Sequence, residues 1–340
     1  MGELQIRMQT AAKRISKIVG ENRVECLAYN RPARCRNCSE EGREGSLLKG
    51  TVLRAQNSFF YVDTAEGIVA AKLRGRLKKA RIAVVPGDEV ELELLSDGTG
   101  VIERRGERKN LLRRPAVANV DQVVLVFAAC HPDINEVLVD RFLVLAEWSG
   151  IRHILLCINK SDLVTEGAPD LQKIIDSYTA IGYDVLSLSA QTGKGIEKLK
   201  RTVTGKTSVF AGPSGVGKSS LLNAISPGWY LSIGSVSEKI KRGRHTTRVA
   251  QLLPFVDGFL VDTPGFSATE LADITPTELA SFFPEFRPFL NACRFNTCTH
   301  SHEPGCAVKE ALNQGKISVS RYTSYLEMLQ ESAARKKVYR

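Results

Sequence analysis

The sequence predicts a multi-domain chain: an N-terminal OB-type β-barrel, a central α/β domain and a C-terminal α-helical, metal-binding module. Three observations lead to this prediction. The length of 340 residues suits two or three domains. The hydrophobic pattern changes near Val120, from short, closely spaced strands to strands that alternate with helices. Cysteines and histidines then cluster between Cys293 and Cys306.

Composition and charge narrow the class of protein. Hydrophobic residues make up 43% and charged residues 25% of the chain, which excludes a fully disordered, collagen-like or disulfide-scaffold protein. No run of about 18 apolar residues occurs, and the N-terminus lacks a signal-peptide core, so we expect a cytoplasmic protein. The net charge of +10 lies at the ends, with +8 in residues 1–115 and +4 in residues 307–340. Basic ends predict a polyanionic partner such as nucleic acid, and the alternative is a solvated basic surface.

Residues 1–46 form a polar, arginine-rich extension that we expect to be partly disordered. Cys35 and Cys38 in this extension are half of a metal-site pattern without a second half, so no site is assigned to them. Residues 47–113 contain five short β-type runs separated by turn residues, which predicts the OB-type barrel. The runs are Leu48–Leu53, Phe59–Asp63, Gly67–Leu73, Asp88–Leu94 and Gly100–Glu103.

A basic segment lies between the third and fourth runs of this barrel. Basic loops on OB-type barrels are typical of RNA-binding surfaces, so the segment predicts an RNA contact. The alternative is that the charge only keeps a small barrel soluble. The residues are Lys72, Arg74, Arg76, Lys78, Lys79 and Arg81.

Residues 114–272 alternate strand-like and helical stretches, which predicts a mostly parallel sheet with helices on both faces. Ligands bind such sheets where strands end and loops begin. The predicted strands are Gln122–Ala128, His153–Ile158, Asp184–Ser187, Thr207–Ala211 and Gly258–Asp262. The predicted helices are Glu136–Ser149, Asp170–Ile181, Ile196–Val203 and Lys218–Ile225.

A phosphate-binding loop follows the fourth of these strands, where residues 212–219 match the pattern G-x-x-x-x-G-K-[ST]. Its glycines let successive backbone N–H groups turn toward a phosphate, and the next helix points its positive end at the anion. Lys218 is expected to reach the β- and γ-phosphates, and Ser219 to bind Mg²⁺. The predicted nucleotide-binding residues are Gly212, Pro213, Ser214, Gly215, Val216, Gly217, Lys218, Ser219 and Ser220.

A second motif, Asn-Lys-Ser-Asp, follows the strand His153–Ile158. Its carboxylate can accept two N–H bonds from the edge of guanine, and adenine lacks that pair of donors. The dipeptide Ser-Ala at the end of the next strand resembles the second guanine-contacting loop of GTPases, and a common turn before a helix is the alternative. The residues predicted to contact guanine are Asn159, Lys160, Ser161, Asp162, Ser189 and Ala190.

Two further segments predict a magnesium site and a switch loop. Asp262 ends a predicted strand and is of the kind that holds Mg²⁺ through water, while Gly265 can offer its N–H group to the γ-phosphate. Residues 239–248, with sequence KIKRGRHTTR, form a polar loop in which Thr246 or Thr247 can supply a second hydroxyl to Mg²⁺. A basic segment that touches RNA is the alternative for this loop, and the two roles are compatible.

These motifs resemble the five motifs of the GTPase superfamily in rotated order. NKSD and SA come first, followed by GPSGVGKS, HTT and DTPG. A circularly permuted GTPase domain with an OB-like domain before it and a Cys/His cluster after it closely resembles the RsgA family, over about residues 47–330. The resemblance implies a GTPase that binds the small ribosomal subunit and its rRNA late in assembly, with turnover stimulated by the subunit. A GTP-regulated RNA-binding module or RNA chaperone with negligible turnover is the alternative.

The same resemblance suggests how the attacking water is positioned. Phe266 follows DTPG, where many GTPases carry a glutamine, and phenylalanine cannot orient water. His245 matches the loop histidine of the family and is our hypothesis for this role, with an RNA contact or a plain loop residue as the alternative. Arg248 stands where another threonine was expected, so the choice between the two threonines stays open.

The Cys/His cluster offers three thiolates and one imidazole from Cys293, Cys298, His300 and Cys306. Such a closed set suits one structural Zn²⁺ and leaves no coordination position for a reactive water. His302 is the rival ligand. The same spacing occurs in the RsgA family. A helix over Ser318–Ala334 completes a C-terminal module of residues 273–340, and we expect a monomer that does not contact membranes.

Overall fold

The computed structural model describes most of the chain beyond the N-terminal extension. Several predictions lie outside the described residues: those on residues 1–46, on His245, Thr246 and Thr247, and on Gly265. In the described part of the chain, no helix is long and apolar enough to cross a membrane. The described residues are 47–56, 58–113, 116–164, 171–226, 250–262, 271 and 273–336.

The first domain is a closed five-stranded barrel, which confirms the prediction of an OB-type fold. Its strands follow the order β1-β2-β3-β5-β4, and β4 closes the barrel by pairing with β1. Valines at alternate positions point inward and form its core, as in Val52, Val62 and Val69. The strands are β1 (Leu48–Gln56), β2 (Phe59–Thr64), β3 (Gly67–Leu73), β4 (Glu89–Leu94) and β5 (Gly100–Arg105).

The basic segment after β3 contains a short helix, α1 (Gly75–Lys79), where the sequence indicated a loop. Leu77 is the buried residue of this helix and packs with the core of the barrel. Its basic neighbours, among them Lys78 and Lys79, remain exposed. A single buried leucine among charged residues produces no helical periodicity, which explains why the pattern did not reveal the helix.

The second domain is a six-stranded sheet in the order β10-β9-β8-β11-β13-β12. All neighbouring strands are parallel except β12, which is antiparallel to β13. The mostly parallel sheet confirms the α/β prediction, and the continuous apolar runs reflect burial on both faces. The strands are β8 (Gln122–Ala128), β9 (His153–Asn159), β10 (Asp184–Ser187), β11 (Thr207–Ala211), β12 (Gln251–Phe255) and β13 (Gly258–Asp262).

Helices cover both faces of this sheet. One face packs with α2 and α3 in a core that includes Phe142 and Tyr178. The other face packs with α4 and α5 around Leu199 and Leu221. These helices are α2 (Glu136–Trp148), α3 (Leu171–Ile181), α4 (Ile196–Val203) and α5 (Lys218–Ile225).

A small hairpin of β6 (Leu111–Arg113) and β7 (Ala116–Ala118) joins the barrel to the sheet. The backbone N–H of Ala118 donates to the carbonyl of Pro86 in the barrel, over 2.9 Å. Asp88 beside it is fully buried and pairs with Arg108 at 2.6 Å. Strand β1 also contacts β12, so the barrel lies against the edge strand of the sheet.

The C-terminal module contains two 3₁₀ segments, Leu279–Phe282 and Pro284–Ala292, and two helices, α6 (Ala307–Asn313) and α7 (Val319–Lys336). Phe283 stacks on Phe286 with ring centroids 5.0 Å apart. The apolar core of the module is continuous with the core around α2. The module is therefore packed directly onto the α/β domain.

Candidate nucleotide site and metal centre

The predicted nucleotide-binding motifs meet at the carboxyl edge of the sheet. The phosphate loop follows β11, the NKSD motif begins at the end of β9, and Ser189-Ala190 follows β10. Strands β10, β9, β8 and β11 are consecutive neighbours in the sheet. Segments about 55 residues apart in the chain therefore come together at the edge where α/β sheets bind ligands.

The phosphate loop depends on two glycines with positive φ. Gly212 has φ +145°, and a Cβ there would lie 2.0 Å from the carbonyl oxygen of Val126 in β8. Gly217 has φ +91°, and a Cβ there would lie 2.4 Å from the side-chain nitrogen of Asn159. At Gly212 the loop passes too close to the backbone of β8 to admit a side chain, and at Gly217 a side chain would displace the amide of Asn159. Lys218 folds back over the loop and donates to the carbonyls of Gly212 and Pro213, each over 2.7 Å.

Asn159 links the two parts of the nucleotide site. It is 2% exposed at the end of β9. Its side-chain N–H donates to the carbonyl of Val216 in the phosphate loop over 3.0 Å, and its side-chain oxygen accepts from the backbone N–H of Ala190 over 3.1 Å. One buried amide therefore holds the phosphate loop and the Ser-Ala loop in register, so the structure gives Asn159 a positioning role.

Lys160 and Asp162 face the open side of this arrangement. Lys160 has φ +60°, and its Nζ donates to the carbonyl of Gly215 over 2.8 Å and to the carbonyl of His131. Its side chain therefore spans the phosphate loop. Asp162 is exposed, which leaves its carboxylate accessible to a base, and the N–H of Ser161 donates to the carbonyl of Leu188 over 3.0 Å.

Ser189 is placed differently from a residue that reads a base. It is fully buried, and its hydroxyl accepts from the backbone N–H of Thr192 over 3.0 Å. Its own N–H donates to the carbonyl of Lys194. The hydroxyl thus stabilises the turn before α4, which is the alternative that the sequence left open for this dipeptide.

The predicted magnesium ligands are only partly described. Ser219 lies in the first turn of α5, directly after Lys218. Asp262 is the last residue of β13, and its backbone is paired in register with Phe210 of β11. Thr246 and Thr247 lie outside the described residues, together with His245.

The four predicted metal ligands come together in the C-terminal module. The Sγ and Nδ1 atoms of Cys293, Cys298, His300 and Cys306 all lie within 4.8 Å of one another. Nδ1 of His300 is 3.4 Å from Sγ of Cys293 and 3.5 Å from Sγ of Cys306. A tetrahedral zinc ion separates its sulfur and nitrogen ligands by about 3.6–3.8 Å. The cluster therefore fits a metal ion of this size, and His302 is exposed outside it.

The surroundings of His300 suit a metal ligand. Burial lowers the pKa of His300, which favours the neutral imidazole that a metal requires. Glu303 organises the loop between the ligands by accepting from the N–H and hydroxyl of Thr299 and from the N–H of Ser301. Burial raises the pKa of Glu303, but these hydrogen bonds outweigh it and lower the pKa to about 2. Tyr322 of α7 donates to the carbonyl of His300 over 2.7 Å.

Comparison with known proteins identifies the family. A family model described as RsgA GTPase matches residues 105–272, and a model described as the RsgA N-terminal domain matches residues 49–102. The small ribosomal subunit biogenesis GTPase RsgA of Caldanaerobacter subterraneus subsp. tengcongensis is 45% identical over 291 residues, which are 85% of this chain and 97% of that protein. The chain belongs to the RsgA family of GTPases. The RsgA of Moorella thermoacetica is also 45% identical, over 86% of this chain and all of its own length.

Solved structures of RsgA relatives agree with this assignment. YjeQ from Thermotoga maritima matches with a TM-score of 0.74 and 41% identity, over 85% of this chain and 99% of its own. YloQ, described as a circularly permuted GTPase, matches with a TM-score of 0.74 and 36% identity, over 87% of this chain and 99% of its own. The rotated motif order of this chain is thus the order of a permuted GTPase fold.

A buried ionic network between the GTPase domain and the metal module was not predicted from the sequence. Arg321 of α7 pairs with Asp140 of α2 at 2.6 Å and with Glu285 at 2.7 Å, and all three side chains are nearly inaccessible. The hydroxyl of Tyr178 donates to Asp140 over 2.8 Å. The only sequence signal for this network was a charged residue within the apolar stripe of each helix, Asp140 in α2 and Arg321 in α7. These two partners are 181 residues apart in the chain, so no local pattern linked them.

Proposed function

We propose that this chain hydrolyses GTP to GDP and phosphate during a late step in the biogenesis of the small ribosomal subunit, with turnover stimulated by that subunit. The observation that carries the proposal is the convergence of the phosphate loop and the NKSD motif at one sheet edge, through Asn159. The names of the relatives from Caldanaerobacter and Moorella support the role in small-subunit biogenesis.

We assign roles to the nucleotide-site residues on the same basis. The exposed carboxylate of Asp162 reads guanine, and Lys160 holds the phosphate loop beside the base. Lys218 exchanges its bonds to the loop carbonyls for the β- and γ-phosphates. The remaining proposed GTP contacts are Asn159, Ser161, Ala190, Gly212, Pro213, Ser214, Gly215, Val216, Gly217, Ser219, Ser220 and Gly265, and Ser189 acts on this site through the turn that its hydroxyl stabilises.

We further propose which residues hold the two metal ions. Mg²⁺ is held by Ser219, by Asp262 through water and by Thr246 or Thr247, and it neutralises phosphate charge when bound. The Cys₃His cluster holds one structural Zn²⁺. Its removal would free the loop between Cys293 and Cys306 and weaken the contact of this loop with Tyr322 of α7. His245 positions the attacking water.

We also propose a division of the chain into four segments. Residues 1–46 form the extension, 47–113 the OB-type domain, 114–272 the permuted GTPase domain and 273–340 the zinc module. The barrel and the zinc module contact rRNA of the small subunit, and the protein acts in the cytoplasm as a monomer.

GTP turnover tests the proposal directly. We would measure it for the chain alone and with purified small subunits, large subunits or naked rRNA, using Lys218→Ala as the blank. Stimulation by small subunits alone is the expected result. Equal stimulation by naked RNA would indicate a general RNA-gated enzyme, and no turnover above the Lys218→Ala blank under any condition would contradict the proposal.

A further inference from the structure

His300 has an unusual backbone conformation. Its φ of +56° lies in the left-handed region, which is unfavourable for any residue with a Cβ. Such conformations persist only where the surrounding structure holds them in place. His300 is 5% exposed, and its Nδ1 is directed at the thiols of Cys293 and Cys306. The backbone conformation of this one residue therefore decides whether the imidazole reaches the other ligands.

Two hydroxyl groups of α7 hold the carbonyls on either side of the Cα of His300. Tyr322 donates to the carbonyl of His300 over 2.7 Å, and Tyr325 donates to the carbonyl of Thr299. The first carbonyl belongs to the peptide plane that ψ of His300 orients, and the second belongs to the plane that φ orients. Because one helix holds both carbonyls, the φ and ψ of His300 depend on the position of α7.

The N–H groups of the same two peptide planes are bound within the metal loop, residues 293–306. The N–H of His300 donates to Sγ of Cys298 over 3.4 Å, and the N–H of Ser301 donates to Glu303 over 3.1 Å. The two tyrosines are thus the partners that lie outside the metal loop. Without their hydroxyls each plane would be held from one side, and His300 would be free to relax from the left-handed region.

We propose that Tyr322 and Tyr325 are positioning residues for the metal and that they couple metal binding to the docking of α7 on the GTPase domain. The inference rests on the proposed function, which places Zn²⁺ at this cluster, and goes beyond it by assigning two residues outside the ligand set. The hydroxyl bonds belong to the conformation of His300 that presents Nδ1 to the metal. The metal and α7 therefore stabilise the same conformation, and by linkage each strengthens the binding of the other.

The same part of α7 reaches the GTPase domain. Arg321, which directly precedes Tyr322, is buried against Asp140 of α2. Its guanidinium carbon lies 4.7 Å from the ring centroid of Phe283, and that ring packs edge-to-face on Tyr325 with centroids 5.4 Å apart. The tyrosines and the ionic network are thus parts of one packed unit. Release of the metal would loosen this unit and, with it, the contact between α7 and α2.

Metal affinity tests the positioning role. We would titrate the chelated full chain with Co²⁺, whose absorption reports binding at a thiolate site, and then displace Co²⁺ with Zn²⁺. Tyr322→Phe, Tyr325→Phe and the double variant keep the rings and remove only the hydroxyls. We expect the double variant to bind both ions about 10- to 100-fold more weakly than the wild type, the usual effect of losing partners outside the ligand set.

Ser332→Ala is the matched control on the same helix. It removes a buried hydroxyl that donates to the carbonyl of Ile274 over 2.6 Å, about two helical turns beyond Tyr325. Because Ile274 lies outside the metal loop, this variant is expected to keep the wild-type affinity for Co²⁺. Thermal unfolding of each metal-loaded variant checks that the protein is folded.

Hydrogen exchange tests the coupling to the GTPase domain. In the wild type, Zn²⁺ is expected to slow the exchange of backbone amides in α7 and in α2. In the double variant, saturating Zn²⁺ is expected to slow exchange in the metal loop but no longer in α2. Since the phenylalanine rings preserve the packing, a merely structural role of the two side chains would leave this metal-dependent protection unchanged.

Three results would overturn the inference. They are a wild-type Co²⁺ affinity in the double variant, an equal loss of affinity in Ser332→Ala, and a metal-dependent protection of α2 that is absent in the wild type or unchanged in the double variant. A wild-type chain that binds neither ion would contradict the proposed zinc site and this inference together. GTP turnover is measured separately, so failure of the inference is distinguishable from failure of the proposed GTPase function.

Discussion

The side-chain amide of Asn159 lies 3.0 Å from the carbonyl oxygen of Val216, although 57 residues separate them in the chain. This contact makes the NKSD motif and the phosphate loop one structural unit. The amide is buried. Its loss would leave the carbonyl of Val216 without a hydrogen-bond partner, and water could not easily take the place of the amide.

We expect Asn159→Ala to weaken GDP binding by about tenfold or more, because an unsatisfied buried carbonyl costs about 1–3 kcal/mol. Fluorescent GDP titration measures this. Asn110→Ala is the matched control, since Asn110 makes the same kind of paired bridge to the backbone of Val120 away from the nucleotide site. Equal GDP affinity of Asn159→Ala and the wild type would contradict the positioning role.

Gly217→Ala should abolish tight nucleotide binding because its Cβ would meet Nδ2 of Asn159 at 2.4 Å. Gly98→Ala in the barrel separates this clash from backbone strain, because Gly98 has a similar φ of +80° and open space around it. An alanine in the left-handed backbone region costs about 1–2 kcal/mol of strain in each variant. If both variants bound GDP alike, the close approach would not be the cause.

Arg321→Met should destabilise the chain by about 3–5 kcal/mol, because Asp140 and Glu285 would remain buried without a counter-charge. Urea unfolding measures the loss. Arg287→Met provides the comparison: Arg287 pairs with Glu147 at 2.6 Å but is half exposed, so its removal should cost less than about 1 kcal/mol. Similar losses in the two variants would show that burial of the network adds nothing.

His300→Ala should lose the proposed zinc ion and lower the unfolding temperature of the protein, because three thiolates leave the tetrahedral set incomplete. His302→Ala should keep both properties, since His302 is exposed outside the cluster. Atomic emission gives the metal content of each protein. Metal loss in His302→Ala with retention in His300→Ala would reverse the ligand assignment.

His245→Ala should lose the turnover that small subunits stimulate while GTP affinity is kept. The reason is that Phe266 occupies the position of a water-orienting glutamine and cannot replace it. Single-turnover hydrolysis with saturating small subunits is the measurement. Stimulated turnover equal to that of the wild type would remove His245 from the mechanism.

The strands of the α/β domain were predictable because strands that are buried on both faces appear in the sequence as continuous apolar runs. The bounds of β8, β10, β11 and β13 coincide with the predicted ones. Strand β12 was missed because Pro254 interrupts its apolar run, and an edge strand tolerates a residue without an N–H donor. The hairpin of β6 and β7 has only three residues in each strand, too few for a pattern of period two.

Within the candidate sites, local motifs were readable and long-range contacts were not. The spacing from Cys293 to Cys306 identified the metal set, because all four ligands lie within one short segment. The bridge made by Asn159 and the burial of Ser189 depend on which strands lie side by side. The partners of Arg321 come from two other elements, so no local pattern contained them.

The position of β11 between β8 and β13 has a mechanical consequence. The chain enters the sheet from the barrel through β8 and leaves it toward the metal module after β13, and both strands border the one that carries the phosphate loop. Neighbouring strands are about 4.8 Å apart. A force that separates the two outer domains would therefore act in shear on the hydrogen bonds on both sides of β11, the strand that carries the phosphate loop. When the outer domains are bound to a large particle, such a force would reach the nucleotide site.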